Sequence, residues 1–335
     1  MMPDMEEGNG KVSQAEDAET PSGSATSSRP SVDKDEQPKT PWQKYTAMVY
    51  QARGNPSVSP DSIRPPSLAQ QLFAEVLGTG IYMFFGLAAT AAATTAGSSS
   101  GVIQVVFVWA IAITMGVMVA ISVSGAHLNP AITFTFMLLR PELFAPWKAP
   151  LYMVAQILGA TLGAVGTWII FENPINNFER TYGIVRGQPG SELTAAIFCD
   201  FYPSPSSLAN PALGWTPDTV SRGGAFGMEV FGTAYLVFIV FAVMDPRNQL
   251  RLGGAAIAYS IGLAVLILGC IAGPITGLSI NPARDLGPRI VAYAAGWDEI
   301  AFPGPNNSWW VWTIAPFFGG PIGGLVYDML LMRGI

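Results

Sequence analysis

Charge is scarce in this 335-residue chain and unevenly spread. Of 40 charged residues, 17 fall in the first 67 positions (7 basic, 10 acidic), which leaves 23 for the remaining 268. About a quarter of an average soluble domain is charged, so most of this chain lacks the surface of a soluble globular protein. A basic stripe is missing too, and the formal net charge is -6, which excludes a nucleic-acid binder. Two distant cysteines exclude a disulfide scaffold, and with a single histidine they offer no metal-site spacing. No basic start runs into a short apolar stretch, so the N-terminus does not read as a secretory signal. Apolar residues are abundant, at 50% of the chain, together with 36 Gly and 27 Pro. The composition points to a multi-pass membrane protein carrying a polar tail.

Residues 1–67 are rich in Ser, Pro, Asp, Glu and Gly. Such a segment cannot bury enough apolar surface to offset its conformational entropy, so it is expected to be disordered. Trp42, Tyr45 and Val49 fall at i, i+3 and i+7, which suits either a short amphipathic turn on the membrane or an apolar patch of linker. Residues 68–335 form the expected membrane domain. Crossing about 30 Å of hydrocarbon takes roughly 20 apolar residues, and runs near this length lie at about 69–92, 102–123, 147–171, 225–244, 252–272 and 310–332. Six spans put both termini on one side. Arg140 and Lys148 lie between spans 2 and 3, Arg247 and Arg251 between spans 4 and 5, Arg64 before span 1 and Arg333 after span 6. By the positive-inside rule those ends are expected to be cytoplasmic.

Two further apolar segments are too short to cross. One begins at Asn129 (NPAITFTFMLL), the other at Asn281 (NPARDLGPRIVAYAAGW). Asn before Pro is good helix-start chemistry, and about ten helical residues rise roughly 15 Å, half the hydrocarbon thickness. Half-helices are therefore expected, rather than amphipathic surface helices. They sit at matching places in a repeat. Glu75, Val76, Gly78, Thr79 and Phe84 match Glu229, Val230, Gly232, Thr233 and Phe238 at an offset of 154, and Asn129 matches Asn281 at 152. Each copy (about 68–171 and 225–332) holds three spans and one half-helix. Three is odd, so the copies are expected in opposite orientations, with the half-helix N-termini meeting at the midplane. Gly159/Gly163, Gly319/Gly323 and Gly320/Gly324 have spacings that allow close helix packing. Irregular backbone at membrane depth survives only within protein or beside a watery cavity, so the stretches before each Asn are expected to line a pore. There, carbonyls accept, the two Asn amides donate, and the half-helix N-termini repel cations. The predicted cargo is small, neutral and hydrogen-bonding.

SGAHLNPA (Ser124–Ala131) and GLSINPARDLGPR (Gly277–Arg289), with the repeated Glu segments, closely resemble the major intrinsic protein family of aquaporins and aquaglyceroporins. The resemblance covers about 68–332. It implies an all-α membrane fold of six transmembrane helices and two half-helices in inverted repeat, a homotetramer with a pore in each subunit, and a plasma-membrane location. It implies no cofactor and no enzyme activity. The paired pore motifs are Asn129, Pro130, Ala131 and Asn281, Pro282, Ala283. Four positions that set the narrowest point carry over to Trp109, Gly269, Leu278 and Arg284. Trp109 with Gly269 resembles glycerol facilitators rather than water-selective members, as do Asp285 and Arg289. Leu278 departs from that type, where Phe is usual; losing one aromatic wall leaves room for larger polyols. The long acidic tail resembles those on fungal members and suggests a cytoplasmic regulatory gate. The expected function is passive passage of glycerol and other small polyols, with water, across a lipid bilayer, excluding ions and protons.

Each residue has a plainer reading. Glu75 and Glu229 are carboxylates in apolar spans, where charge is expensive and usually functional; they read better as acceptors for pore-loop N–H groups than as proton carriers. His127, the only histidine, reads as a packed loop residue that shapes the pore rather than as a pH sensor. Trp109 alone would read as a lipid-facing aromatic. Asp285 either shapes the pore or pairs with Arg289. The rival functions are a water-dedicated channel and, from another class, a coupled secondary transporter. The latter wants a carboxylate at its binding site.

Overall fold

The computed structural model describes residues 65–97, 101–250 and 252–332. The segment expected to be a disordered tail, apart from its last three residues, and the flanking Arg64, Arg251 and Arg333 lie outside the described residues. Eight helices of ten residues or more are present among the described residues: α1 Leu68–Ala96, α2 Val102–Ser124, α3 Pro130–Leu139, α4 Ala149–Tyr182, α5 Arg222–Met244, α6 Gly254–Thr276, α7 Pro282–Ala292 and α8 Trp310–Leu331. All but α3 and α7 are long and apolar enough to cross a membrane.

Local chemistry sets the ends. A capping box starts α1: Gln70 N donates to Ser67 Oγ at 3.3 Å while Ser67 N donates to Gln70 Oε1 at 2.9 Å. Ser221 caps α5 through Gly224 N at 3.1 Å. Gly125 and Gly277 end α2 and α6 in left-handed conformation, at φ 86° and 79°. Asn129 and Asn281 are extended N-caps (φ -156° and -153°), each followed by Pro at the first helical position.

Span 3 is longer than its hydropathy suggests. The apolar run stops near residue 171, but α4 continues through Pro174 to Tyr182. The extension is held by contacts within the chain. Ile175 is fully buried, and Glu179 accepts from Arg186 Nη2 at 2.5 Å and Thr194 Oγ1 at 2.7 Å. The second half-helix is shorter than the segment read for it: α7 stops at Ala292, followed by a wide turn over Tyr293–Trp297 with Gly296 at φ 95°.

Packing repeats along with the sequence. The α1 helix packs on α2 and α4, as α5 packs on α6 and α8; α3 lies against α4 and α8, as α7 lies against α8 and α4. Two contacts map onto themselves: α2 with α6, and α3 with α7. Every packing partner is thus preserved when the halves are exchanged. Glycines allow the closest approaches. A methyl on Gly163 of α4 would stand 2.7 Å from Gly80 O and 2.8 Å from Met83 Cβ of α1, and one on Gly323 of α8 would run into Ala234 of α5. Gly320 and Gly324 serve a different neighbour, admitting Thr135 and Leu139 of half-helix α3. At one end, Arg140 forks onto Asp328 at 2.6 and 2.9 Å. Beside it, bonds from Arg247 and Tyr327 hold the Asp245 carboxyl below the usual carboxylate range.

Candidate functional site

The half-helices meet tip to tip. Asn129 Nδ2 donates to Ile280 O at 2.8 Å, and Asn281 Nδ2 donates to Leu128 O at 2.9 Å. Each Asn therefore bonds the loop leading into the other half-helix. Its Oδ1 meanwhile accepts from its own helix: from Ala131 N at 2.8 Å for Asn129 and from Ala283 N at 3.0 Å for Asn281. Pro130, Ala131, Pro282 and Ala283 are buried behind the two amides.

The loops before the Asn residues take backbone that side chains rarely adopt. Ala126 and Leu128 have φ 52° and 50°; Leu278 and Ile280 have 63° and 46°. Such strain persists only where the surroundings over-determine it. Here two buried carboxylates do so. Glu75 accepts from His127 N at 3.0 Å, Leu128 N at 2.7 Å, Ser124 Oγ at 2.5 Å and Gln156 Nε2 at 2.7 Å. Glu229 accepts from Ser279 N at 3.2 Å, Ile280 N at 2.6 Å and Thr276 Oγ1 at 2.7 Å. Neither Glu is among the residues lining the cavity described next.

A cavity of about 280 Å³ runs past the crossing, lined by both loops and both Asn residues. Trp109, Gly269, Leu278 and Arg284 also line it, as does His127. Trp109 is fixed on several sides. Its ring fills the space beside Gly86, where a Cβ would collide with it; Nε1 donates to Thr90 Oγ1 at 3.1 Å; and the Arg284 guanidinium stands 4.9 Å from the ring centre. Gly269 does not simply leave a gap, because Val106 of α2 would meet a methyl there at 2.8 Å. Val106 is a lining residue that sequence reasoning missed. The His127 ring packs against Phe136, Phe144 and Tyr152, with Nδ1 3.2 Å from Thr133 Oγ1.

The other missed residue is Asp200, in the long connection between α4 and α5. Its Oδ2 is 2.5 Å from Arg284 Nη1. Its backbone is clamped by the motif as well: Asp200 N donates to Asp285 Oδ1 at 2.9 Å, and Arg289 Nη2 donates to Asp200 O at 2.9 Å. Asp285 is fully buried and pairs with Arg289 at 2.7 Å. It lies outside the cavity lining and meets the site through Asp200 and Arg289. Among the described residues no cluster of His, Cys, Asp or Glu suits a metal ion.

The family model for the major intrinsic protein matches residues 62–327. The chain belongs to that family. It is a multi-pass membrane protein and a passive channel rather than an enzyme. The chain is 36% identical over 270 residues to a glycerol uptake facilitator protein of Pseudomonas aeruginosa, covering 80% of this chain and 91% of that one. It is 36% identical over 274 residues to Aquaporin-7 of Mus musculus, covering 82% and 84%. Among solved structures it matches the X-ray structure of the aquaglyceroporin from Plasmodium falciparum with TM-score 0.66 and 27% identity, covering 79% of this chain and 97% of that one. The six spans and two half-helices are the aquaporin fold.

Proposed function

We propose that this channel passes glycerol and other small neutral polyols, together with water, and excludes ions and protons. One observation carries the reading: both Asn residues line a single cavity that Arg284 also lines, its guanidinium beside the Trp109 ring. A polyol has an apolar carbon edge and a row of hydroxyls. The Trp109 ring suits the first, and the donors of Arg284 and Asn129 suit the second. Water alone needs no such apolar wall. The glycerol uptake facilitator among the relatives supports the same solute class. Cation exclusion follows from two half-helix N-termini, each worth a partial positive charge, directed at one point.

The remaining roles belong to the same reading. Asn129 and Asn281, with Pro130, Ala131, Pro282 and Ala283, orient solute at the centre. Trp109, Gly269, Leu278 and Arg284 select it by size and polarity. Glu75 and Glu229 hold the two loops, His127 shapes the pore, and Asp285 does so through Asp200 and Arg289. The protein works as a homotetramer in the plasma membrane with both termini in the cytoplasm, and residues 1–67 regulate flux. Deletion of that segment tests the last point: the truncated channel should lose its response to osmotic shock or pH, and an unchanged response removes the regulatory role. The solute reading is tested by swelling of protein-bearing vesicles in isotonic glycerol and in larger polyols, against a sucrose gradient for water. Glycerol swelling well above that of empty vesicles supports it. Water flux without glycerol flux supports a water-dedicated channel instead.

A further inference from the structure

One break in the two-fold relation of the repeats falls at the half-helix crossing. Asn129 and Asn281 each give one amide hydrogen to the opposite loop. Their second hydrogens differ in fate. That of Asn281 is taken by the Tyr82 hydroxyl at 2.8 Å. Tyr82 lies on α1, and the repeat offset of 154 carries it to Leu236 on α5. Both residues line the cavity and both are buried, at 3% and 4% exposure. One Asn thus faces a phenol and the other an aliphatic side chain. The Tyr82 hydroxyl accepts from Asn281 and keeps a hydrogen of its own. That hydrogen reaches Leu128 O only at 3.4 Å, longer than a well-made O–H···O bond of about 2.5–3.0 Å. Leu128 O is in any case already engaged by Asn281 at 2.9 Å.

We propose that Tyr82 is a specificity-determining residue of the pore centre, whose hydroxyl replaces Asn281 as the second donor to passing solute and whose ring sets the width there. The proposal rests on the polyol-channel reading above. Two adjacent solute hydroxyls at the crossing receive one hydrogen each, one from Asn129 and one from Tyr82, while their own hydrogens go to loop carbonyls. Glycerol, with adjacent hydroxyls, meets both donors within one molecule; water meets them with one molecule each. The ring also stands where the mirror half has only leucine, so the crossing forms a second narrow point beyond the one at Trp109 and Arg284.

The test compares the parent channel with Tyr82→Phe and Tyr82→Leu in vesicles, with flux normalised to the inserted protein. Glycerol, a five-carbon polyol and water are measured side by side. Tyr82→Phe removes the hydroxyl and frees the second Asn281 hydrogen, so the donor beside Asn129 moves back by the 2.8 Å that separates the two atoms. It should lower the glycerol-to-water permeability ratio at least about threefold, the scale of one hydrogen bond of ordinary strength. Tyr82→Leu copies the mirror residue and should raise five-carbon polyol passage several-fold. If Tyr82→Phe leaves the ratio unchanged or raises it, the donor role is overturned; if Tyr82→Leu still excludes the larger polyol as the parent does, the width role is overturned. Failure of the parent itself to pass glycerol overturns the underlying channel reading, and the proposal with it.

Discussion

The carboxylate of Asp200 lies 2.5 Å from the guanidinium of Arg284, so the one cation lining the cavity among the described residues is paired with an acid from a distant loop. The partners are unequal. The Asp200 side chain is 3% exposed and that of Arg284 is 12% exposed and open to the cavity. Removing the cation therefore strands a buried anion, whereas removing the anion leaves a cation that water can reach.

Arg284→Ala is accordingly expected to cost about 3–5 kcal/mol of stability, the usual price of an uncompensated buried charge. Asp200→Asn should cost less, and the double variant should recover much of the Arg284→Ala loss. Thermal unfolding in detergent reads all three. Strictly additive losses would show that the pair is not coupled.

Glu75 meets four donors and Glu229 three. Glu75→Gln turns one acceptor oxygen into a donor facing another donor, an arrangement that costs about 1–3 kcal/mol when buried. Glu229→Gln should cost less, because Glu229 has no counterpart of the Gln156 amide donor and one of its bonds is long, at 3.2 Å. Unfolding temperatures that rank the two in the opposite order would contradict this account of the loops.

Much of this was legible in the sequence, for a definite physical reason. A membrane span must be long and apolar, and a cap must be Asn, Ser, Gly or Pro at a set place; both signals are local. The repeat then fixed the symmetry, so two Asn residues 152 apart were expected to meet, and both do line the same cavity. What escaped depends on contacts distant in sequence. Asp200 sits in a loop with no periodic pattern. A charge count nevertheless pointed to it. Arg284 and Arg289 outweigh Asp285 by one, and buried charge is normally balanced; in the stretch Phe198-Cys199-Asp200-Phe201 an acid is flanked by apolar residues, as a buried partner would be. Tyr82 and Val106 carried no such signal, because an aromatic or valine in a span reads equally well as facing lipid. The end of α4 escaped because Glu179 looks exposed until Arg186 and Thr194 are seen around it.

Gly163 marks the crossing of α1 and α4. Gly163→Ala places a methyl 2.7 Å from Gly80 O, and overpacking of this kind costs about 1–3 kcal/mol. The variant should melt earlier than the parent and yield less protein in the membrane. A melting temperature equal to the parent's would mean that the helices can separate there freely.

Leu278 lines the cavity and approaches position 269, where a methyl would stand 3.8 Å from its Cδ2. Leu278→Phe fills that corner with a ring. It should reduce passage of five-carbon polyols more than passage of water. Equal reduction for all solutes would argue against a size-selecting role.

The most direct test of the whole account is glycerol flux into vesicles containing purified channel, followed by light scattering over a wide range of glycerol gradients, with and without imposed proton and sodium gradients. Passive passage along the cavity predicts a rate far above empty vesicles, rising in proportion to the gradient and indifferent to both ions. A rate equal to that of empty vesicles, or one that saturates and follows the ion gradient, would contradict it.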